Sequence, residues 1–516
     1  MRFERVAGYL AALAVACTPL AQVAAQLTAT AEIHADKPGA RYNRQIFGQF
    51  AEHLGHGVYE GIWVGRNSRI PNKDGYRTDV VEALRNLKVP VVRWPGGCFA
   101  DEYHWREGVG PQAKRPVKVN TNWGGVTEPN SFGTNEFMDF AERIGAESYV
   151  SGNVGSADAS EMAGWVEYMT SPTGSSLARE RAGNGRKAPW KVAMFGIGNE
   201  LWGCGGNMRP EYAADITRRY SAFLKLPKGS LRIASGASDD NYTWTETMMR
   251  EAGKYFDGIG IHYYTVPNTW KNKGSATEFG EEEYARTIAK TLKMDEYITK
   301  HSAIMDKYDP EKRVALLVDE WGTWYDVEPG TNPGFLFQQN SVRDALVAAI
   351  NLNIFAAHAD RVKGANIAQM INVLQAMILT RGDKMVLTPT YHVFEMFKPF
   401  QDATVLPIEL KSPWYNKEQW TVPAISASAV RDTQGAVHVA LANVDPARSM
   451  TVTMTLDGVT ATSATGRVLT GPAINSINSF DQPNTVVPAA FTGASVSGGT
   501  LTVAMPPHAV VMLDVR

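Results

Sequence analysis

From about residue 45 onward, short apolar runs rich in β-branched residues alternate with segments whose apolar positions recur at the helical period, and the alternation repeats eight times. The runs predict strands over 45–53, 89–97, 146–154, 191–199, 231–237, 257–264, 313–321 and 362–373. Helices are expected between them, over 78–88, 135–144, 211–226, 284–308 and 342–358. Val314-Ala315-Leu316-Leu317-Val318 is apolar at every position, as a strand is when both of its faces are buried. Eight β-then-α units predict an α/β fold, a (β/α)8 TIM barrel closed by right-handed crossovers.

After about residue 400 the helical period stops. Runs over 422–430, 437–444, 450–456 and 501–505 are separated by Gly, Pro, Asn and Asp, the pattern of a C-terminal antiparallel β-sandwich, jelly-roll-like. Residues 27–35 also alternate and should add an N-terminal strand to that sandwich. The expected division is a signal peptide over 1–25, the N-terminal strand over 26–40, the catalytic barrel over 41–400 and the sandwich over 401–516. The leader reading rests on the basic start Met1-Arg2-Phe3-Glu4-Arg5, an apolar run over 6–16 too short to span a bilayer, and the small residues Val23-Ala24-Ala25. It makes the protein secreted or periplasmic.

Past that leader only Cys98 and Cys204 remain, too few for a disulfide scaffold, so a large core must hold the fold. No other apolar stretch approaches 18 residues, so no membrane span is expected. Lys+Arg 51 against Asp+Glu 53 leaves a net charge of −2, which argues against a nucleic-acid partner, since such a protein needs a basic surplus. The 13 tryptophans suit sugar-facing platforms as well as core packing.

In such a barrel the active site lies at the C-terminal ends of the strands. Gly198-Asn199-Glu200 closes the fourth run and Asp319-Glu320-Trp321 the seventh. Glycoside cleavage requires paired carboxylates, one to protonate the leaving oxygen and one to attack, or to direct water at, the anomeric carbon. A single strand-end Glu reads as readily as a salt-bridge partner or a helix cap; two at these ends point to catalysis. The pair alone does not name the sugar, so an endo-β-glucanase or xylan-active hydrolase on the same barrel stays open.

The stretches Phe47-Gly48-Gln49-Phe50-Ala51-Glu52-His53-Leu54-Gly55, Arg93-Trp94-Pro95-Gly96-Gly97, Gly108-Val109-Gly110-Pro111, Gly196-Ile197-Gly198-Asn199-Glu200, Val318-Asp319-Glu320-Trp321 and Ala368-Gln369-Met370-Ile371-Asn372-Val373 together resemble glycoside hydrolase family 51, typically α-L-arabinofuranosidases. The resemblance runs from about residue 42 to residue 400 and more weakly through the sandwich. It implies exo-acting, retaining release of terminal arabinofuranose from arabinan, arabinoxylan or arabino-oligosaccharides, without a cofactor, by a chain that forms homo-oligomers. Glu200 would be the acid/base and Glu320 the nucleophile. Retention demands carboxyl groups about 5 to 5.5 Å apart, with Glu320 ionised and Glu200 holding a proton until the leaving oxygen takes it.

The same resemblance makes Glu52 an acceptor for sugar hydroxyls, Asn199 a contact of the 2-hydroxyl and Gln369 part of the furanose pocket. His262 and Tyr264 would support the nucleophile, with Tyr264 donating to Glu320. Among Trp94, Trp105, Trp123, Trp202, Trp321 and Trp324, the loop residues Trp123 and Trp202 are the expected stacking platforms. Many members carry Asn where this chain has Cys98, a poorer hydrogen-bond partner kept here as pocket lining. Whether Cys98 is a buried thiol or bridges to Cys204 stays open, and no motif supports metal ligation.

Overall fold

The computed structural model describes residues 27–172 and 174–516, so the expected leader lies outside the described residues. The first strand, β1 (Leu27–His34), belongs to the sandwich. β2 (Gly48–Phe50), β3 (Val91–Trp94), β4 (Glu147–Gly152), β5 (Val192–Ile197), β6 (Leu231–Ser238), β7 (Gly258–Thr265), β8 (Ala315–Thr323) and β9 (Val362–Ile367) then come in order as parallel neighbours, and β9 pairs with β2 to close a barrel. Each of the eight expected runs supplies one barrel strand. The first is shorter than its run because the Asn43 side chain accepts from the Gln45 N–H and caps a 3-10 turn over Arg44–Phe47. The last stops at Ile367, which frees 368–373 to line the mouth of the barrel.

The expected helix over 284–308 is instead two, Glu281–Thr291 and Lys293–Tyr308. Leu292 between them has ψ −17°, a 3-10-like value that interrupts the α-helical ladder. The helix Val342–Ala357 is buried along almost its whole length because it is covered on both sides. It packs against β8 and against the sandwich strands Ile425–Arg431, Val437–Asn443 and Ala509–Val515. Hydrogen bonds from Tyr42 to the Leu352 carbonyl and between Asn353 and Ser426 and Ser428 stitch that seam.

The sandwich has a six-stranded sheet and a five-stranded sheet that contains β1. β1 pairs antiparallel with Ile408–Lys411 but parallel with Met450–Asp457, so the chain enters through the sandwich, builds the barrel and returns. No helix among the described residues is long and apolar enough to cross a membrane.

Inside the barrel, Val91, Tyr149, Met194, Ile233, Ala315 and Leu317 form an apolar plug. Alternation along the strands sets Arg93 and Asp319 in the next layer toward the C-terminal ends. There the ladder between β7 and β8 slips: Ile261 pairs with Val318 but His262 pairs with Glu320, leaving Asp319 as an inserted residue. The bulge turns two successive carboxylates into the barrel. Trp321 then faces outward onto Phe355 and Phe394.

Candidate active site

Glu320 lies in the C-terminal half of β8 with its side chain 7% exposed. Its Oε1 accepts from Arg93 Nη1 at 2.8 Å and its Oε2 from the Tyr264 hydroxyl at 2.7 Å. Arg93 is a charge in the middle of an apolar strand, where it needs partners on every side. Its second nitrogen donates to Asn199 Oδ1 at 2.5 Å, and its guanidinium lies 4.7 Å from the centre of the Phe50 ring. Burial opposes ionisation of Glu320, but His262, Arg93 and the Tyr264 hydrogen bond outweigh it and hold the carboxyl below its ordinary value. Gly97 flanks this carboxylate so closely that a Cβ there would stand 3.0 Å from Glu320 Oε1.

Glu200 comes after β5 on a sharp turn. It has φ 43°, unusual for a residue with a side chain, and Gly198 before it has φ 75°. A Cβ on Gly198 would meet Val154 Cγ2 at 2.2 Å, so only glycine fits. Asp101 clamps the turn by accepting backbone N–H groups from Asn199, Val154 and Gly155 at 2.8, 2.7 and 2.9 Å. Burial pushes the Asp101 carboxyl up to about 7 even against those three bonds.

His262 Nδ1 lies 2.9 Å from Glu200 Oε1 and 3.7 Å from Glu320 Oε2. Burial disfavours its charge, but the Glu320 carboxylate and the bond to Glu200 prevail and hold its pKa above 6.5. An oxygen of Glu200, an oxygen of Glu320 and the His262 nitrogen all lie within 4.8 Å of one another.

A third carboxylate, Glu52, sits beyond Arg93. Its Oε1 accepts from Phe99 N at 3.0 Å and Trp123 Nε1 at 2.9 Å, and its Oε2 from Gln369 Nε2 at 3.2 Å. Burial, reinforced by the nearby Glu320 charge, pushes Glu52 up to about 7. Gln369 Oε1 is buried without a protein partner among the described residues. Trp123 and Trp324 pack with Tyr264 on Phe50 and Leu54 to form the mouth of the site. Trp202 lies on the Glu200 turn, its indole N–H donating to the Gly236 carbonyl at 3.1 Å.

Cys98 and Cys204 are joined in a disulfide, which settles the alternative left open by the sequence. The bridge ties the loop after β3 to the Glu200 turn, with Cys204 Sγ 3.6 Å from Glu200 Oε2 and 3.8 Å from Asn199 Nδ2. Cys98 therefore brings a disulfide rather than a thiol to the rim.

The structure thus gathers Glu52, Cys98, Trp123, Asn199, Glu200, Trp202, His262, Tyr264, Glu320 and Gln369 at one end of the barrel. Trp94, Trp105 and Trp321 are core residues instead, at 0%, 2% and 0% exposure. Sequence reasoning assigned no role to Arg93, whose signal was a charge inside an apolar run, or to Asp101, which had none. A hollow of about 970 Å³ lined by Trp190, Phe223 and Lys225 opens at the N-terminal ends of β5 and β6, away from this cluster.

A family model described as the α-L-arabinofuranosidase 1 domain matches residues 83–286, and one described as the α-L-arabinofuranosidase C-terminal domain matches 319–509. The chain is 51% identical over 497 residues to an intracellular exo-α-L-arabinofuranosidase of Bacteroides ovatus, covering 96% of this chain and 97% of that one. The crystal structure of a GH51 arabinofuranosidase from Xanthomonas axonopodis pv. citri superposes with a TM-score of 0.94 at 59% identity, covering 95% of this chain and all of the other. An arabinose complex of the α-L-arabinofuranosidase from Thermotoga maritima superposes with a TM-score of 0.83 at 28% identity, covering 94% and 99%.

One expectation is overturned here. The Bacteroides ovatus relative is named an intracellular enzyme, against the secreted or periplasmic address read from the first 25 residues. A basic start and a short apolar run are a pattern of composition, not by themselves an export signal. The matches across barrel and sandwich establish that the chain belongs to the α-L-arabinofuranosidases of glycoside hydrolase family 51.

Proposed function

We propose that this glycoside hydrolase releases terminal arabinofuranose from arabinan, arabinoxylan or arabino-oligosaccharides by double displacement, with Glu320 as nucleophile and Glu200 as acid/base. The observation that carries the reading is the spacing: an oxygen of each carboxylate lies within 4.8 Å of one on the other. That suits a retaining pair, whereas an inverting pair stands about 6.5 to 9.5 Å apart to seat a water.

In the first step Glu320 attacks the anomeric carbon while Glu200 passes its proton to the leaving oxygen, forming a glycosyl ester on Glu320. Arg93 and Tyr264 fix the nucleophile's two oxygens and hold it ionised. The ester discharges Glu320 just as Glu200 becomes a carboxylate, so His262 faces a charged partner at each stage. In the second step Glu200 takes a proton from water, which displaces Glu320 and restores the starting configuration at the anomeric carbon.

Asn199 Oδ1 is committed to Arg93, which leaves Nδ2 to donate to a hydroxyl beside the reacting carbon. Glu52 and Gln369 take the hydroxyls at the far side of the ring. Relatives named arabinofuranosidases at 51% and 59% identity favour this reading over an endo-β-glucanase or xylan-active hydrolase.

The test pairs p-nitrophenyl α-L-arabinofuranoside with carboxymethylcellulose and follows the anomeric proton of the first product by NMR. Hydrolysis of the first substrate alone, with retention, is expected, and an inverted first product refutes the mechanism. Glu320→Ala and Glu200→Ala should each lower turnover by several orders of magnitude, Glu200→Ala losing least on substrates with good leaving groups.

A further inference from the structure

Trp270 is 55% exposed, and nothing in the double displacement uses it. A lone exposed aromatic is ordinary on a protein surface. Two features set this one apart.

First, its ring completes a wall that climbs from the nucleophile. Tyr264 donates to Glu320, the Trp324 ring meets Tyr264 edge-to-face at 4.9 Å, and Trp270 meets Trp324 edge-to-face at 5.4 Å. Exposure rises along that series, from the partly buried Tyr264 and Trp324 to the open face of Trp270.

Second, the loop that presents it is braced by hydrogen bonds from several sides. Thr269 and Asn272 exchange backbone hydrogen bonds at 3.0 and 3.1 Å, so Trp270 sits at the tip of a tight turn. Lys290 Nζ donates to the carbonyls of Val266 and Asn268 at 2.8 Å each. The Asp326 carboxylate accepts the N–H groups of Lys273 and Gly274. A bulky apolar ring held rigidly in water binds a flat partner without a large ordering cost.

We propose that Trp270 is the stacking platform for the leaving-group side of the substrate, the sugar residues that stay attached to the aglycone oxygen. Geometry selects the occupant. A terminal residue being cleaved fills the closed end between Glu52, Asn199 and Glu320, so only the remainder of the chain can extend toward solvent. Trp270 lies two ring contacts out from the tyrosine that holds the nucleophile, too far to meet the reacting sugar and in line to meet the next sugar of the chain. The C–H face of a sugar ring suits an exposed indole face. The inference rests on the arabinofuranosidase reading and adds that this enzyme distinguishes oligosaccharides from simple glycosides through one side chain.

The test compares kcat and KM of wild type, Trp270→Ala and Trp270→Tyr on α-1,5-linked arabinotriose and on methyl α-L-arabinofuranoside, which has no leaving-group sugar. Trp270→Ala should lower kcat/KM on the trisaccharide about five- to tenfold more than on the methyl glycoside, mainly through KM. Trp270→Tyr should restore most of the difference, which a purely structural loss would not do. Equal losses on both substrates, or wild-type behaviour of Trp270→Ala on the trisaccharide, overturns the proposal. A wild-type enzyme that cleaves neither substrate overturns the arabinofuranosidase reading itself.

Discussion

Arg93→Met tests the electrostatic design of the site. The substitution keeps the apolar stem against Phe50 and removes the guanidinium, so Glu320 Oε1 and Asn199 Oδ1 lose their donor together. Both side chains of the Arg93–Glu320 pair are almost fully buried, at 2% and 7% exposure, so water cannot replace the lost cation. Breaking such a pair from one side costs about 3 to 5 kcal/mol at neutral pH, a large share of the roughly 5 to 15 kcal/mol that holds a typical domain together.

The pH dependence carries the sign. In the wild type, Glu320 titrates below its ordinary 4.5 when folded, so its contribution is present above pH 4.5 and is lost as pH falls through the lower folded value. Without Arg93, burial is opposed only by His262 and Tyr264, and the carboxyl's pKa rises. The deficit of the variant should therefore be largest near pH 7 and shrink as pH falls toward 4. Urea unfolding at both pH values measures it, and the acid limb of kcat/KM should move up by about one pH unit or more, each unit being worth about 1.4 kcal/mol. Adding Glu320→Gln removes the stranded charge, so the double variant should recover about 2 kcal/mol relative to additivity. A deficit independent of pH, an additive double variant and an unmoved acid limb would refute the assignment.

Two further substitutions probe the parts around that pair. His262→Asn removes the imidazole whose pKa the Glu320 carboxylate and the bond to Glu200 hold above its ordinary value, so the basic limb of kcat/KM should shift; a pH–rate profile with an unshifted basic limb would count against the coupling. Asp101→Asn places an amide N–H₂ among three backbone N–H donors, so about 2 kcal/mol of stability should be lost in thermal or urea unfolding and kcat should fall more than KM changes as the Glu200 turn loosens.

The barrel strands were legible because each is buried on both faces and reads as an apolar run, and the two catalytic candidates were legible because they interrupt such runs at one end. The runs could not show how Glu320 comes to face inward. Counting alternate residues from Leu317, which lies in the barrel plug, turns Asp319 inward and Glu320 outward under the helices. The inserted residue opposite the Ile261–His262 step reverses that outcome, and a bulge is a property of two strands paired, not of either sequence. The same limit hid Asp101, which lies in the 3-10 turn Cys98–Glu102, where no periodicity marks a side chain as inward. The break at Leu292 escaped notice because both flanking helices keep their apolar positions in phase.

The bulge also explains the chemistry, because it adds a carboxylate to a place already short of cations. Glu52, Glu200, Asp319 and Glu320 converge on two positive groups, Arg93 and His262. Arg93 is spent on Glu320, and Asp319 is left with the Tyr149 hydroxyl and the Asn366 amide as its hydrogen-bond donors. Burial raises the carboxyls of Asp319 and Glu52, as it must where anions outnumber the cations that could neutralise them. Asp319 and Glu52 therefore keep their protons to higher pH than isolated carboxyls do, while Glu320, the carboxylate bonded to the arginine, stays ionised. In the proposed double displacement the attacking carboxylate has to start ionised, and a single strand position, Arg93, selects Glu320 for that state among the crowded carboxyls.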